Sequence, residues 1–520
     1  MKPQRFSVMR RYDRGPLESM RVSARLDRRS DGGTYLVYEV QARPRNVLGR
    51  IAAALEIGFF SRRRFEAVFR RYDAMAGESP EAEEPRAPRL VAGAKERIEA
   101  ARTALVTDGA APELADRLAA LVAHGDELSL GRLQPYVLAD AWGAGRRETL
   151  ELCLRATRNG LLELSWELLC PLCRGAAASE PSLAGVRRGL HCETCLIDFD
   201  VDFDRSVEIT FRPAPAICSV ASGAFCVAGP QVTPHIVAQQ LVPAGERRSL
   251  SLHLERGSYR LRALALSGAL RLAVAPDGAG NAAVRIGPEG WPGDEAQLAE
   301  QAVLELENAT SDEHLLVLER TEWSDRAATA AEVTALQVFR DLFSSEALRP
   351  GEPISVGTLT VVFTDLRGST RYYRDVGDAP AFGSVVEHLE VLRGMVAAEE
   401  GAVVKTMGDA IMAVFARPVG AVRAMLAAQR AVTGKPLTLK VGIHSGPCIA
   451  INQNGILDYF GTTVNLAARL EALSSGDDLV VSEAVLTDPE VAALSLEREP
   501  VQAALKGFED EAFSLWRVRG

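Results

Sequence analysis

The stretch from Phe363 to Leu470 constrains this chain most. Within it FTDLRGST, KTMGDAIMAVF, VGIHSG and DYFGTTVNLAARL follow one another. It holds two carboxylates of metal-ligating type (Asp365 and Asp409), a lysine–aspartate pair (Lys405 and Asp458), and Asn465 and Arg469 one helical turn apart. Each of these residue types meets a need of chemistry on a nucleoside triphosphate.

From Thr358 the spacing predicts a strand, two helices, a hairpin, a helix, another hairpin, a helix and closing strands. That order is expected to give a ferredoxin-like α+β sheet with helices on one face. Asp365 closes the first strand, and Gly368-Ser369-Thr370 leads at once into a helix whose N-terminus suits phosphate oxygens. Asp409 sits in a tight Gly-Asp turn. Two carboxylates brought together repel and call for cations, and magnesium, which shares its shell between carboxylates and substrate phosphates, fits.

Adenine offers a ring-nitrogen acceptor beside an amine donor, so a Lys donor with an Asp acceptor reads it, whereas guanine presents the opposite order. Asn465 and Arg469, at i and i+4, share a helix face. Each residue alone also has an ordinary reading as turn chemistry or a solvated charge; the set together does not.

At 520 residues the chain predicts several domains. No apolar run approaches bilayer length and no signal-peptide core opens the chain, so a cytoplasmic protein is expected. The net charge is −10 and no long stretch reads as basic, which argues against a large nucleic-acid surface. The expected divisions are 1–76 (partial α+β segment), 91–165 (helical module), 166–205 (zinc-ribbon-like element), 206–325 (all-β sandwich), 326–350 (connector helix) and 351–520 (catalytic domain). Residues 77–90, rich in Pro and Glu, read as a linker.

Cys170, Cys173, Cys192 and Cys195 form two C-x-x-C knuckles, spaced to close a tetrahedral, structural zinc site. His191 is an alternative ligand, and Cys218 and Cys226 read as core thiols. Asp198, Asp200, Asp202 and Asp204 alternate with apolar residues, predicting a strand with an acidic face that would repel phosphates. Thr329-Ala-Ala-Glu332 predicts a capped helix whose stripe of Val333, Leu336, Phe339 and Phe343 either packs on its own domain or serves as a dimerising or signal-transmitting connector.

Two resemblances follow. GGTYLVYEVQARPRNVLGR is similar to the later half of a START-like helix-grip fold, whose earlier half the chain lacks. Residues 357–518 resemble the catalytic domain of class III nucleotidyl cyclases through the four motifs quoted above, over about a third of the chain. The cyclase resemblance implies that Asp365 and Asp409 hold two Mg2+ (or Mn2+) ions and that Lys405 and Asp458 select adenine. Asn465 and Arg469 would stabilise the transition state. Lys440 stands where some relatives carry a phosphate-binding Arg, and Lys506 lies in a Leu-Lys-Gly turn; neither joins the core set.

The resemblance further implies a head-to-tail homodimer. One subunit would give Asp365 and Asp409, and the other Lys405, Asp458, Asn465 and Arg469. The expected function is an adenylate cyclase making 3′,5′-cyclic AMP and pyrophosphate from ATP, regulated through its N-terminal region by a small molecule or protein. The rivals are a catalytically silent cyclase-like module and a zinc-ribbon nucleic-acid binder.

Overall fold

Runs such as LTVVF (359–363) and AIMAVF (410–415) offer water no polar face, and such strands are stable only when both faces are covered. The computed structural model describes residues 5–12, 15–29, 33–78, 90–172, 174–192, 197–218, 235–263, 266, 268–292, 296–321, 326–432, 437–508 and 513–520. Its C-terminal domain comprises β1 (Ile354–Arg367), α1 (Ser369–Val376), α2 (Asp378–Ala398), β2 (Gly401–Met407), β3 (Ala410–Phe415), α3 (Pro418–Val432), β4 (Thr438–Gln453) and β5 (Ile456–Phe460). After these come α4 (Thr462–Glu471), β6 (Leu479–Ser482), α5 (Glu483–Leu486), α6 (Pro489–Ala492), β7 (Glu497–Val501) and β8 (Leu515–Arg519). The sheet order is β2-β3-β1-β4-β6-β8-β7, with β5 paired to β4 off this path.

The predicted element order is present, but the helices occupy both faces of the sheet. α2 and α3 cover Val362, Ile411, Ala413, Val441 and Ile443. The alternate residues Val361, Met412 and Val414 join Val464 and Ala467 of α4 in a second core. At Gly442 a Cβ would stand 2.1 Å from the Glu471 nitrogen, so only glycine lets α4 lie this close to β4. The one-face expectation overlooked that the strands are apolar on both sides.

The second core extends into the N-terminal half. Helices Ala94–Thr107, Pro112–His124, Pro135–Trp142 and Arg146–Arg158 pack there. The helical pattern ends at Arg158, since LELSWELL alternates and forms a strand, Leu162–Leu169, that buries Trp166 and Leu168. Val207–Pro213 pairs with that strand. It therefore does not open the β region, as the division at 206 expected. The acidic row is a strand only over Ile197–Asp200; beyond it Val201 and Phe203 turn into the core, and the Phe203 N–H donates to the Ser355 carbonyl.

In place of a sandwich, residues 236–320 form one six-stranded sheet. LRLAVA and AVRI belong to one strand, Leu270–Ile286, with register shifts between Val274 and Asn281. The edge strands Ile236–Val242 and Arg247–His253 touch, so the sheet curls around Leu261, Leu272, Leu304 and Leu318.

Buried Glu319 in this sheet bonds Arg260 and Arg262 at 2.6 and 2.5 Å. Burial alone would raise its pKa, but His235, Arg262 and Arg260 prevail and hold the carboxyl far below its usual range. Glu319→Ala is expected to lower unfolding free energy by roughly 2–3 kcal/mol, less than a fully buried pair because both arginines are about a third exposed. A depressed carboxyl contributes stability above its unfolded pKa and loses it as pH falls toward the folded value. The wild-type advantage should therefore hold at neutral pH and shrink in strong acid, which paired melts will measure.

In the first 78 residues Leu17–Arg28 pairs with Thr34–Pro44, and Arg5–Arg11 adds a third strand beside Leu17–Arg28. A helix follows in three parts: Val47–Leu55, a π-helical turn Glu56–Ser61, and Arg62–Glu78. Residues 79–89 of the expected linker lie outside the described residues. No described helix is long and apolar enough to cross a membrane.

Candidate active site

The β1–β4 ladder sets Asp365 opposite Lys440, whose Nζ is 3.8 Å from the Asp365 carboxylate and also pairs with Glu471. Partial burial, and then the charge of Asp409, push the Asp365 carboxyl above its ordinary range; Lys440 opposes them. Asp409 follows Gly408 (φ +71°), whose left-handed backbone makes the β2–β3 turn tight. Asp409 Oδ2 is buried with no hydrogen-bond partner. Two acceptor-only groups repelling each other, one with an orphaned oxygen, fit a divalent cation. Among the described residues no group of three or more His, Cys, Asp or Glu converges as a metal cage, so substrate oxygens would complete the shell.

Lys405 and Asp458, 53 residues apart in sequence, are paired: Nζ donates to Oδ2 at 2.6 Å. Asp458 is only 6% exposed and its Oδ1 accepts the Tyr459 N–H, while Lys405 is 36% exposed. A donor and an acceptor thus meet at one place between β2 and β5. On α4, Asn465 and Arg469 are both exposed on one face, and Val464, Ala467 and Leu470 face inward.

Residues 352–507 match the family model described as "Adenylate and Guanylate cyclase catalytic domain". The C-terminal domain is a class III nucleotidyl cyclase domain. Similar curated proteins include an adenylate cyclase of Streptomyces coelicolor, 36% identical over 129 residues, covering 24% of this chain and 32% of the relative. One from Anabaena cylindrica is 28% identical over 198 residues, covering 32% and 39%. One from Neurospora crassa is 26% identical over 187 residues, covering 31% of this chain and 8% of its own length. The chain therefore spans well under half of these relatives. A solved adenylyl cyclase from P. aeruginosa aligns at 22% identity and TM-score 0.30, over 32% of this chain and 96% of that one. Residues 97–225 match a family of unknown function (DUF5939).

The cyclase domain is tied to the segment before it by residues that the sequence did not single out. The capping box at Thr329–Glu332 is formed, but Leu336 is extended and splits the connector into Ala330–Thr334 and Gln337–Leu342. That break lets both Val333 and Phe339 bury, with Phe339 edge-on to Trp166 at 5.9 Å. The stripe is thus packed inside the chain. Gln337 Oε1 accepts the Val403 N–H at 2.8 Å, and Arg340 donates to the Leu457 carbonyl at 3.0 Å. Tyr459 donates to Thr334 Oγ1 at 2.9 Å. These bonds grip β2 and β5 beside Lys405 and Asp458. Backbone partners this distant in sequence leave no motif.

Of the cysteine knuckles, Cys170 and Cys192 are buried in one small cluster with Ile197 and Phe199; Cys173 and Cys195 lie outside the described residues, as does Cys226. His191 Nδ1 is 2.8 Å from Asp198 Oδ1. Cys218 is buried, as a core thiol would be.

Proposed function

We propose that this protein converts ATP to 3′,5′-cyclic AMP and pyrophosphate at a site shared by two copies of the chain. The observation that supports the reading is the Lys405–Asp458 pair at 2.6 Å, a donor and an acceptor of the types that adenine's edge can use. Lys405 would donate to the ring nitrogen and Asp458 accept from the exocyclic amine. Asp365 and Asp409 are the residues that would hold divalent cations. Such cations, when bound, supply charge neutralisation on the triphosphate and a lowered pKa for the attacking 3′-hydroxyl. Asn465 would orient the ribose, and Arg469 would offset charge developing at the α-phosphorus.

Asn465 and Arg469 lie on an outer face of α4, which supports a site completed by a partner subunit. The grip of the connector on β2 and β5 supports regulation through the N-terminal region. Purified protein with ATP and Mg2+ or Mn2+ should yield cyclic AMP, with GTP a poorer substrate. No product above that of an Asp365→Ala control would sink the reading.

Cys170, Cys173, Cys192 and Cys195 are proposed to bind a structural zinc, for which the co-burial of Cys170 and Cys192 is the support. Elemental analysis of gently purified protein should find about one zinc per chain; zinc-free, folded protein would refute it.

A further inference from the structure

Charge is distributed unevenly along the chain. The first 78 residues carry 17 Lys and Arg against 9 Asp and Glu, a net of +8; the remaining 442, with 42 against 60, carry −18. This count corrects the expectation that no long stretch is basic.

The same segment exposes a helical apolar face. Val47, Leu48, Ile51, Leu55, Phe59 and Phe60 are between 46% and 76% exposed. The first five recur at i, i+4 spacing or next to it, so they fall on one side of the helix. Soluble proteins seldom leave such a face uncovered. Arg50 lies among these residues, and Arg62, Arg63 and Arg64, all exposed, follow directly. Arg63 lies over the Phe59 ring at 4.1 Å, while Arg62 and Arg64 reach Glu66 and Glu56. Elsewhere the unit is secured: the Tyr38 ring packs at a tilt against Phe65 and Phe69, and Arg21 pairs with Glu313 at 2.5 Å.

We infer that the helix Val47–Ser61, with its flanking arginines, docks on an anionic lipid surface. A membrane interface takes aliphatic side chains into its acyl boundary and pairs arginines with headgroup phosphates. Nucleic acid fits less well, because Val47, Leu48, Ile51 and Leu55 have neither a π-face for bases nor a donor for phosphates. A second copy fits less well because two segments of net +8 repel.

The test is co-sedimentation of the full chain with vesicles of phosphatidylcholine alone or with about one quarter phosphatidylglycerol. The anionic vesicles should carry the protein down, less so in high salt. Ile51→Glu with Leu55→Glu, and separately Arg62, Arg63 and Arg64 to Ser, should each weaken binding by about tenfold. Melting temperature and vesicle-free cyclase rate should not change, as these side chains are exposed and outside the cyclase domain. Absence of sedimentation, or binding that survives both variants, overturns the inference. So does a result in which the variants alter oligomeric mass or RNA binding and leave vesicle binding intact.

Discussion

Asp365→Ala is expected to cut cyclic AMP formation by about three orders of magnitude without lowering the melting temperature. Asp365 loses solvent and faces Asp409, and Lys440 and the Leu366 N–H only partly offset these effects. Its charged form is therefore held at a cost in the resting protein, as expected of a group kept for ligand binding. A raised carboxyl pKa means that folding favours the protonated form, so the charge opposes stability above that pKa. Removing the charge should leave the melt unchanged or slightly higher at neutral pH. Lost activity together with a lowered melting temperature would instead mark Asp365 as structural.

The second large effect concerns the base-reading pair. Lys405→Met should lower ATP turnover by about a hundredfold and erode the preference for ATP over GTP, because a site built on paired polar groups discriminates through the group left unpaired. It should also destabilise the protein, leaving the nearly buried Asp458 carboxylate without its cation. Adding Asp458→Asn to Lys405→Met removes that uncompensated charge. The double variant should recover much of the melting temperature and none of the ATP activity. Recovery of both would show that the pair holds strands together and does not read the base.

The sequence was most legible where chemistry demands particular residue types. Lys405 and Asp458 meet although 53 residues apart, Gly408 makes the turn that Met407-Gly408-Asp409 announced, and the strand expected to close at Asp365 runs on to Arg367. The two-sided sheet was legible as well, since AIMAVF is apolar at every position, but strand order alone does not say which face a helix takes. Elsewhere local signals misled. Pro276-Asp277-Gly278 has the composition of a turn, yet it lies inside the strand Leu270–Ile286, whose pairing with Ala296–Asn308 skips these residues and resumes at Ala279. Gln337 and Arg340 carried no signal, because their partners are backbone groups 66 and 117 residues away.

The central claim is that each site draws Asp365 and Asp409 from one subunit and Lys405, Asp458, Asn465 and Arg469 from another. Mixing Asp365→Ala with Arg469→Ala subunits, each inactive alone, tests it most directly. In a mixed head-to-tail dimer one site carries both lesions and the other carries none. With random pairing, about a quarter of the wild-type rate should return. A mixture as inactive as its parents, although mixed dimers form, would contradict the shared site.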